Sequence, residues 1–252
     1  MRKSYLFFVA LLCSLAISSF SFPKKVLETI SEPANGIDNR SIHLLGLGDS
    51  LTQGVGDPLK KGYIGILQDR LETKYGLNVT VINESKKGLT SKGLLKKVKK
   101  KQVRRKIQNA DLIFITIGGN DIVNVFQNHF FQLDIQLFEK ESRTFAQRLT
   151  EILNIIRSEN ETAPIFMIGL FNPFVATFSE VGEINEIIHE WDEQAKTVIN
   201  DYDNTYFVSV ESIFVNGNRQ LLHEDHFHPN RKGYEKIADT VMVQLEELML
   251  GE

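Results

Sequence analysis

Four short stretches of this 252-residue sequence contain groups that could perform acyl transfer. In chain order they read Gly48-Asp49-Ser50-Leu51, Lys87-Gly88-Leu89-Thr90, Gly118-Gly119-Asn120-Asp121 and Asp225-His226-Phe227-His228-Pro229. One offers a serine hydroxyl, one a lone glycine, one a carboxamide, and the last an aspartate with a histidine three positions later. Glycine or proline marks each stretch as a turn or a loop, so we predict that these groups lie between the regular elements.

The residue types meet the requirements of nucleophilic catalysis. A serine hydroxyl is a poor nucleophile until a neighbouring base removes its proton. An imidazole can take that proton near neutral pH, and an aspartate bonded to the other ring nitrogen fixes the tautomer. Asp225 precedes His228 by three residues, so one turn could present both side chains, and Pro229 restricts the backbone that follows. Ser50, His228 and Asp225 are therefore the candidate catalytic residues.

The same stretches contain donors for the negative charge that develops during acyl transfer. A tetrahedral intermediate carries an oxyanion, and losing one hydrogen-bond donor to it typically costs about 100-fold to 1000-fold in rate. The backbone N–H groups of Ser50 and Gly88 and the side-chain amide of Asn120 could supply three such donors. These residues are the candidate oxyanion hole.

Alternating apolar patterns predict the elements that would bring these loops together. The predicted strands are Ile42–Leu47, Asn78–Asn83, Leu112–Ile117, Ile165–Leu170 and Tyr206–Val210, and the predicted helices are Tyr63–Tyr75, Ser91–Lys106, Phe138–Ser158, Ile184–Ile199 and Gly233–Leu248. Short apolar strands that alternate with helices indicate a parallel sheet covered on both faces. Ligands bind at the carboxyl ends of the strands in such a sheet, which is where the four stretches fall.

The four stretches, in this order, resemble the motif blocks of the SGNH (GDSL-type) hydrolase family. The resemblance covers nearly the whole predicted domain, from the Gly48 stretch to the Pro229 stretch. It implies an α/β fold, a flavodoxin-like three-layer α/β/α sandwich with a five-stranded parallel sheet. The stretch Gly54-Val55-Gly56-Asp57, with Gly62-Tyr63, is similar to the YpmR-type exported lipase/esterases of Gram-positive bacteria.

By that resemblance, each candidate residue receives a role. Ser50 is implied to be the nucleophile, His228 the base and Asp225 its partner, while Ser50, Gly88 and Asn120 are implied to be the oxyanion donors. The family's chemistry needs no cofactor and no metal. His223 and His226 lie close to His228 and leave a metal site as a lesser alternative, although no carboxylate cluster in the sequence obviously completes one.

The N-terminal segment is predicted to be a targeting segment and not a part of the folded domain. Residues 1–21 begin with Arg2 and Lys3, continue with an apolar run and end in small residues, which is typical of a signal peptide; a retained N-terminal anchor is the alternative. Residues 22–37 are predicted to be a polar spacer and residues 38–252 the hydrolase domain. We therefore expect an exported protein, either extracellular or attached to the outer face of the cytoplasmic membrane.

Composition limits the class of protein and the kind of site. Hydrophobic residues make up 42% of the chain and charged residues 24%, values that exclude a disordered chain and a multi-span membrane protein. The single cysteine, Cys13, excludes a disulfide framework and a cysteine-based metal centre.

Positive charge is concentrated between Lys86 and Lys106, which includes eleven basic residues and no acidic one. Apolar residues at approximate helical spacing predict a basic amphipathic helix here. Two interpretations stay open: a solvated helix face, or a surface attracted to an anionic membrane or wall polymer. Nucleic acid is disfavoured as a partner because the segment has no aromatic residue that could stack on bases.

Several substrates are compatible with these residues. Lipid or lysophospholipid esters are our first expectation, with removal of O-acetyl groups from surface polysaccharide, or acyl transfer to it, as alternatives. A phenylalanine-rich stretch contains Phe126, Phe130, Phe131, Phe138 and Phe145. These residues are expected to pack in the core, but the first three could instead line a groove for an acyl chain. A surface-binding protein with an unused catalytic site is the non-enzymatic alternative.

Overall fold

Five strands form one all-parallel sheet at the centre of the molecule. A computed structural model describes residues 41–129, 131–132, 134–173, 182–214 and 219–250. The strands are β1 (Ser41–Gly48), β2 (Asn78–Asn83), β3 (Leu112–Thr116), β4 (Ile165–Ile168) and β5 (Thr205–Val208). They lie in the order β2-β1-β3-β4-β5, which confirms the predicted parallel, flavodoxin-like sheet.

Helices cover both faces of this sheet because its central strands are apolar on both sides. All five residues of β3 are buried, as are all four of β4. The helices of the described residues are α1 (Ser50–Gln53), α2 (Gly62–Tyr75), α3 (Ser91–Val98), α4 (Lys101–Gln108), α5 (Gly119–Asn128), α6 (Ile135–Glu159), α7 (Gly182–Ile199), α8 (Glu211–Phe214) and α9 (Arg231–Leu250), with a short 3₁₀ helix at Arg219–Leu221.

Two apolar cores, one on each face, give the predicted three-layer α/β/α sandwich. On one face α2 and α9 pack on the sheet, and Tyr63 and Tyr234 are fully buried there. On the other face α3, α4, α6 and α7 form a second core, in which the rings of Phe145 and Trp191 stack with centroids 5.0 Å apart. Burying both faces leaves the ends of the strands as the place where polar side chains can meet.

Most of the predicted elements are present, with ends that differ by at most three residues, and β2 has the predicted bounds. The predicted strands over Ile165–Leu170 and Tyr206–Val210 end two residues earlier, at Ile168 and Val208. The backbone beyond Ile168 leaves the sheet because Leu170 bonds to a helix side chain, Asp192, instead of a neighbouring strand. The short α1, α5 and α8 were not predicted from the apolar pattern.

The prediction of a single helix over Ser91–Lys106 is wrong. The chain forms two helices, α3 and α4, and the backbone of Lys100 between them is extended, with ψ of 132°. Val98 and Val103 are five residues apart, so one continuous helix would place them about 140° apart around its axis. The break allows both side chains to be fully buried in the same core.

The N-terminal predictions lie outside the described residues. This applies to the signal peptide or anchor of residues 1–21 and to the spacer of residues 22–37. In the part of the chain that the structure describes, no helix combines the length and the apolar character that crossing a membrane requires.

Candidate active site

Ser50 lies at the sharp turn that joins β1 to α1, at the carboxyl edge of the sheet. Gly48 has a φ of +134°, and a Cβ there would lie 2.0 Å from the carbonyl oxygen of Thr116, so only glycine allows β1 and β3 to approach this closely. Asp49 then caps α1 by accepting a hydrogen bond from the N–H of Leu51. The turn therefore fixes Ser50 as the first residue of the helix, with its hydroxyl at the sheet edge.

His228 is held by a compact loop that precedes α9. The N–H of His223 donates to the carbonyl of His228 over 2.7 Å, and Leu222 pairs with Pro229 in an antiparallel bridge. Within the loop, Asp225 Oδ1 accepts the backbone N–H groups of Phe227 and His228, both over 3.0 Å. These bonds place the Asp225 carboxylate and the imidazole of His228 on the same side of the turn.

The three predicted catalytic side chains form one hydrogen-bonded chain. His228 Nε2 lies 2.9 Å from Ser50 Oγ, and His228 Nδ1 lies 2.6 Å from Asp225 Oδ2. Both the serine and the histidine are buried, with 8% and 7% of their surfaces exposed. The fold thus brings together groups from opposite ends of the domain, in the order that a serine nucleophile, a base and an orienting carboxylate require.

The ionisation of Asp225 determines which nitrogen of the histidine carries the proton. Burial alone would raise the pKa of this carboxyl, but hydrogen bonds from the His228 ring and from the N–H groups of His228 and Phe227 lower it to about 2. The group is therefore a carboxylate at neutral pH and accepts the Nδ1–H of the ring. Nε2 is left with its lone pair directed at the Ser50 hydroxyl.

Asn120 lies beside Ser50 at the start of α5. Its side-chain Nδ2 donates to the carbonyl of Leu89 over 3.1 Å, which leaves the second N–H of the amide for another acceptor. The next residue, Asp121, accepts both the N–H and the hydroxyl of Ser91, at 2.8 and 2.6 Å. These bonds tie the Asn120 loop to the loop after β2, so the amide is fixed in place.

Gly88 occupies the loop after β2. The loop is anchored by the N–H of Lys86, which donates to the Gly48 carbonyl over 2.8 Å, and by the N–H of Lys87, which donates to Gln53 Oε1. Gly88 has a φ of +77° and is exposed, and it is not among the residues that line the cavity at Ser50. Its role as an oxyanion donor stays a prediction.

Behind Ser50, a buried polar network that the sequence analysis missed supports the turn. Thr116 Oγ1 donates to Asp49 Oδ1 over 2.8 Å and lies 2.9 Å from Thr52 Oγ1, which is 2.7 Å from the hydroxyl of Tyr63. Burial raises the pKa of Asp49 to about 6, although the bonds from Thr116 and Leu51 oppose that rise. A threonine that ends an otherwise apolar strand is the only sequence signal for this network.

An apolar cavity of about 70 Å³ opens beside Ser50, Asn120 and His228. Much of its wall comes from the loop after β4, which the sequence analysis did not single out. Its apolar side chains are Leu51, Ile168, Leu170, Phe171, Pro173 and Phe227. The cavity can therefore accept an apolar group bound to a carbonyl at Ser50.

The phenylalanine-rich stretch does not supply this wall. Phe138 and Phe145 are buried in the core, in agreement with the core-packing interpretation. Phe126 and Phe131 are exposed and do not line the cavity that the described residues form, while Phe130 lies outside the described residues. Two of the three residues of the proposed acyl groove, Phe126 and Phe131, therefore do not line this cavity, and the third, Phe130, is not tested.

The loop from Gly54 to Lys61 packs beneath the loop that holds His228, which we call the histidine loop. A Cβ at Gly56 would lie 2.4 Å from the Pro229 carbonyl oxygen and 3.1 Å from His228 Cβ. Asp57, whose side chain is fully buried, accepts the N–H groups of three residues and lies 3.4 Å from a guanidinium nitrogen of Arg231; the three are Leu59, Lys61 and Gly62. This carboxylate fastens the loop against the start of α9.

The neighbouring histidines do not assemble a metal centre with the groups around them. His223 Nδ1 lies 3.8 Å from Asp225 Oδ1, and His226 adopts a positive φ of 54° in the same loop. Over the described residues, no three His, Cys, Asp or Glu side chains converge in a way that could hold a metal ion. The chemistry available at this site is therefore that of the serine, the imidazole, the carboxylate and the amide donors.

Comparisons with known proteins agree with this architecture. Residues 47–236 match the GDSL-like Lipase/Acylhydrolase family. The chain is 36% identical over 203 residues to the protein YpmR of Bacillus subtilis, covering 79% of this chain and 80% of the relative. It is 23% identical over 209 residues to the spore germination lipase LipC of Bacillus licheniformis, covering 80% and 95%. A solved lipase from a goat rumen metagenome, Lip_vut3, superposes with a TM-score of 0.69 at 22% identity, covering 80% of this chain and 96% of that one.

Proposed function

Because the chain belongs to the GDSL-like lipase/acylhydrolase family and is therefore a carboxylic ester hydrolase, we propose that it cleaves lipid or lysophospholipid esters through an acyl-Ser50 intermediate. The observation that carries the mechanism is the hydrogen-bonded chain from Ser50 through His228 to Asp225. We further propose that the enzyme is exported, which rests on the signal-like pattern of residues 1–21.

In the first half of the reaction, Ser50 attacks the ester carbonyl. Its hydroxyl proton passes to His228 Nε2 while the bond from Oγ to the carbonyl carbon forms. The imidazolium that results is stabilised by the Asp225 carboxylate, 2.6 Å from Nδ1. The tetrahedral intermediate then collapses, the bond to the alcohol oxygen breaks, and the imidazolium returns the proton to the leaving alcohol.

In the second half, water replaces the alcohol. His228 removes a proton from the water as it attacks the acyl carbon; the bond to Ser50 Oγ then breaks, the imidazolium returns the proton to Oγ, and the acid is released. In both halves, the oxyanion would accept hydrogen bonds from the N–H of Ser50 and the amide of Asn120, with Gly88 as the third proposed donor. The first-turn N–H of α1 has no partner within its helix, so it is suited to this task.

The cavity beside Ser50 supports an apolar acyl group. Its walls are mainly side chains of apolar residues, and polar groups occur mainly at the catalytic end. A sugar ring would leave its hydroxyl groups unpaired against such walls, whereas the first carbons of an acyl chain would not. One relative is the spore germination lipase LipC, which also favours lipid esters.

The size of the same cavity supports a second candidate, removal of O-acetyl groups from surface polysaccharide. The cavity that the described residues form has a volume of about 70 Å³, which suits a short acyl group such as acetyl. Here the acetyl group would occupy the cavity and the polymer would remain outside. Acyl transfer to such a polymer would use the same intermediate, with a sugar hydroxyl in place of water.

Hydrolysis of p-nitrophenyl esters of increasing chain length tests the proposal. We expect the wild type to release p-nitrophenol and the Ser50→Ala variant to lose at least about 10³-fold in kcat. Rates that increase from acetate to decanoate would favour lipid esters, and rates that peak at acetate would favour O-acetyl esters. A Ser50→Ala variant with wild-type activity would refute the mechanism.

A further inference from the structure

Seven exposed basic residues lie along the segment that contains α3 and α4, and we call them the basic face. Four other cations of this segment are neutralised: Lys97 and Lys106 pair with Glu84, Lys99 with Glu151, and Arg104 with Glu159. The seven of the basic face form no ion pair with an acidic residue in the described ranges. They are Lys86, Lys87, Lys92, Lys96, Lys100, Lys101 and Arg105.

The basic face contains almost no apolar surface. The apolar side chains of α3 and α4 point into the core, where Leu94, Val98, Val103 and Ile107 are fully buried. Leu95 is half-buried and packs against the same core. Since these helices offer no large exposed apolar side chain, a partner must be recognised by charge and not by insertion into a lipid phase.

The basic face runs down the side of the molecule and away from the active-site edge. It begins beside the catalytic turn, where the N–H of Lys86 bonds to the Gly48 carbonyl. It ends near the opposite edge of the sheet, where Asp111, just after α4, bonds to the carbonyl of His43. Each of the two eight-residue helices is about 12 Å long, so together they carry the cations over at most about 25 Å.

Its centre is a shallow depression at the junction of the two helices. Lys100, Lys101 and Arg105 line this depression together with Gln102. The clustering follows from the break between α3 and α4, because the extended Lys100 starts a new helix whose first turn carries Lys101. Three cations with one amide form a site that can contact successive anionic groups.

The rest of the chain restricts where an anionic partner can bind. The net charge of the whole protein is −3 at pH 7, although this segment alone contributes eleven positive charges. The remaining surface is therefore strongly acidic and repels polyanions. An anionic polymer that approaches the molecule is directed to the basic face.

We propose that the basic face binds a linear, flexible polymer of phosphate groups and so holds the enzyme on that polymer. Lysine, which supplies six of the seven cations, binds phosphate as a point charge without needing a fixed geometry. A flexible chain can follow this row of cations down the side of the sandwich. A planar bilayer that bound this side of the molecule would meet the Ser50 opening only at the margin of the contact area, because that opening lies at the edge of the sheet. The proposal goes beyond the esterase function and does not depend on it.

Binding of fluorescently labelled long-chain inorganic polyphosphate tests the proposal. The variant Lys96→Gln/Lys100→Gln/Lys101→Gln/Arg105→Gln removes four cations of the basic face. We expect its affinity to fall at least tenfold, and the slope of log affinity against log salt to become shallower by about 3, as expected for four lost phosphate contacts. Hydrolysis of a soluble p-nitrophenyl ester should be unchanged, which keeps this test separate from that of the esterase.

A matched control removes four exposed cations from α6 and α9, in the variant Lys140→Gln/Arg143→Gln/Lys232→Gln/Lys236→Gln. This variant should bind polyphosphate like the wild type. Equal weakening by both variants would show that only net charge matters and would overturn the assignment to the basic face. Tighter binding to vesicles of equal parts phosphatidylglycerol and phosphatidylcholine than to polyphosphate would overturn the choice of a polymer over a bilayer.

Discussion

At the scale of single residues, the candidate site depends on contacts between side chains that are far apart in the chain. Ser50 and His228 are 178 positions apart, yet their side chains are within 2.9 Å. Asp225 is close in sequence to His228, and its loop presents the carboxylate to the ring. The orientation of the imidazole is therefore a local property, whereas its contact with the serine depends on the whole fold.

Replacing Asp225 by asparagine tests whether this carboxylate orients the imidazole of His228. The carboxamide can donate to the ring as well as accept from it, which allows the tautomer with the proton on Nε2. We expect kcat to fall by up to about 10⁴-fold, with a small change in KM and an intact fold. Steady-state kinetics and circular dichroism would measure this, and a variant with full kcat would show that Asp225 does not orient the base.

The pH dependence of activity tests the separate roles of Asp225 and His228. The pKa of Asp225 is about 2, so this carboxylate stays ionised throughout the range in which the protein would be assayed. Any loss of kcat/KM on acidification should therefore not come from Asp225. The residual activity of a His228→Ala variant should lack that loss, and a residual activity that decreases in parallel with the wild type would point to another base.

These residues could be predicted from the sequence because their types are chemically distinctive and occur at the ends of apolar runs. Thr116 could not, since a threonine at a strand end is usually unremarkable and its bond to Asp49 depends on the pairing of β1 with β3. Gly88 remains a prediction for a similar reason. A glycine carries no side chain whose contacts could place its N–H at the site.

At the scale of elements, the loop from Gly54 to Lys61 is expected to support the histidine loop through Asp57. Replacing this buried carboxylate by alanine would leave three backbone N–H groups without their acceptor and would leave Arg231 with Glu235 as its carboxylate partner. We expect the free energy of unfolding to fall by about 3–5 kcal/mol and kcat to decrease, because the loop packs against His228.

A nearby exposed pair supplies the control for that prediction. Asp69 binds Lys61, and both side chains are more than 40% exposed. Since exposed ion pairs contribute little, Asp69→Ala should cost about 1 kcal/mol or less. Urea denaturation of both variants measures the contrast, and equal losses would show that burial of Asp57 has no special importance.

The contact between α7 and the loop after β4 should make stability depend on pH. Burial raises the pKa of Asp192 to about 7, although the N–H of Leu170 and the charge of Lys196 oppose this, while Glu211 and Glu193 add to it. The folded protein thus keeps this proton up to about pH 7, whereas the unfolded chain releases it near the ordinary aspartate pKa of 3.8. Stability is therefore lost as the pH rises through this window.

The variant Asp192→Asn should lack that loss and can still accept the N–H of Leu170. Between pH 5 and pH 8 we expect the free energy of unfolding to fall on the order of 2 kcal/mol more in the wild type than in the variant. Chemical denaturation at the two pH values measures the difference. Parallel pH dependence in the two proteins would show that Asp192 does not hold its proton in the folded state.

Apolar periodicity was sufficient to predict which segments are helices and which are strands. It did not predict where a helix is interrupted or which loop lines the cavity. The division of α3 from α4 follows from the five-residue spacing of Val98 and Val103, which the pattern of basic residues obscures. The wall of the cavity comes from Leu170 and Phe171, beyond the end of β4, where no periodic signal exists. Which loop forms such a wall depends on tertiary packing and not on local sequence.

At the scale of the whole molecule, the parallel sheet was predictable from the alternation of apolar strands and helices, whereas its flavodoxin-like form was implied by the family resemblance. The sheet alone does not fix the positions of the catalytic groups. The core on one of its faces also requires α9, with Tyr63 and Tyr234 buried in it. The hydroxyl of Tyr234 donates to the carbonyl of Val55 and joins α9 to the loop beneath His228.

Truncation after Asn230 tests this dependence on the last helix. The shortened chain keeps Ser50, Asp225 and His228 but loses the buried face of α9, including Ile237, Val241 and Leu245. We expect loss of cooperative thermal unfolding and of esterase activity together. A truncated protein that unfolds cooperatively and retains activity would show that the catalytic contacts do not need this core.

The proposed mechanism requires Ser50 to be the nucleophile and His228 to activate it. Reaction with diethyl p-nitrophenyl phosphate, followed by peptide mass mapping, examines both requirements in one experiment. We expect a single diethylphosphoryl group on Ser50, activity lost in proportion to labelling, and little labelling in the His228→Ala variant. Inactivation with the label on another residue, or full activity in protein labelled at Ser50, would contradict it.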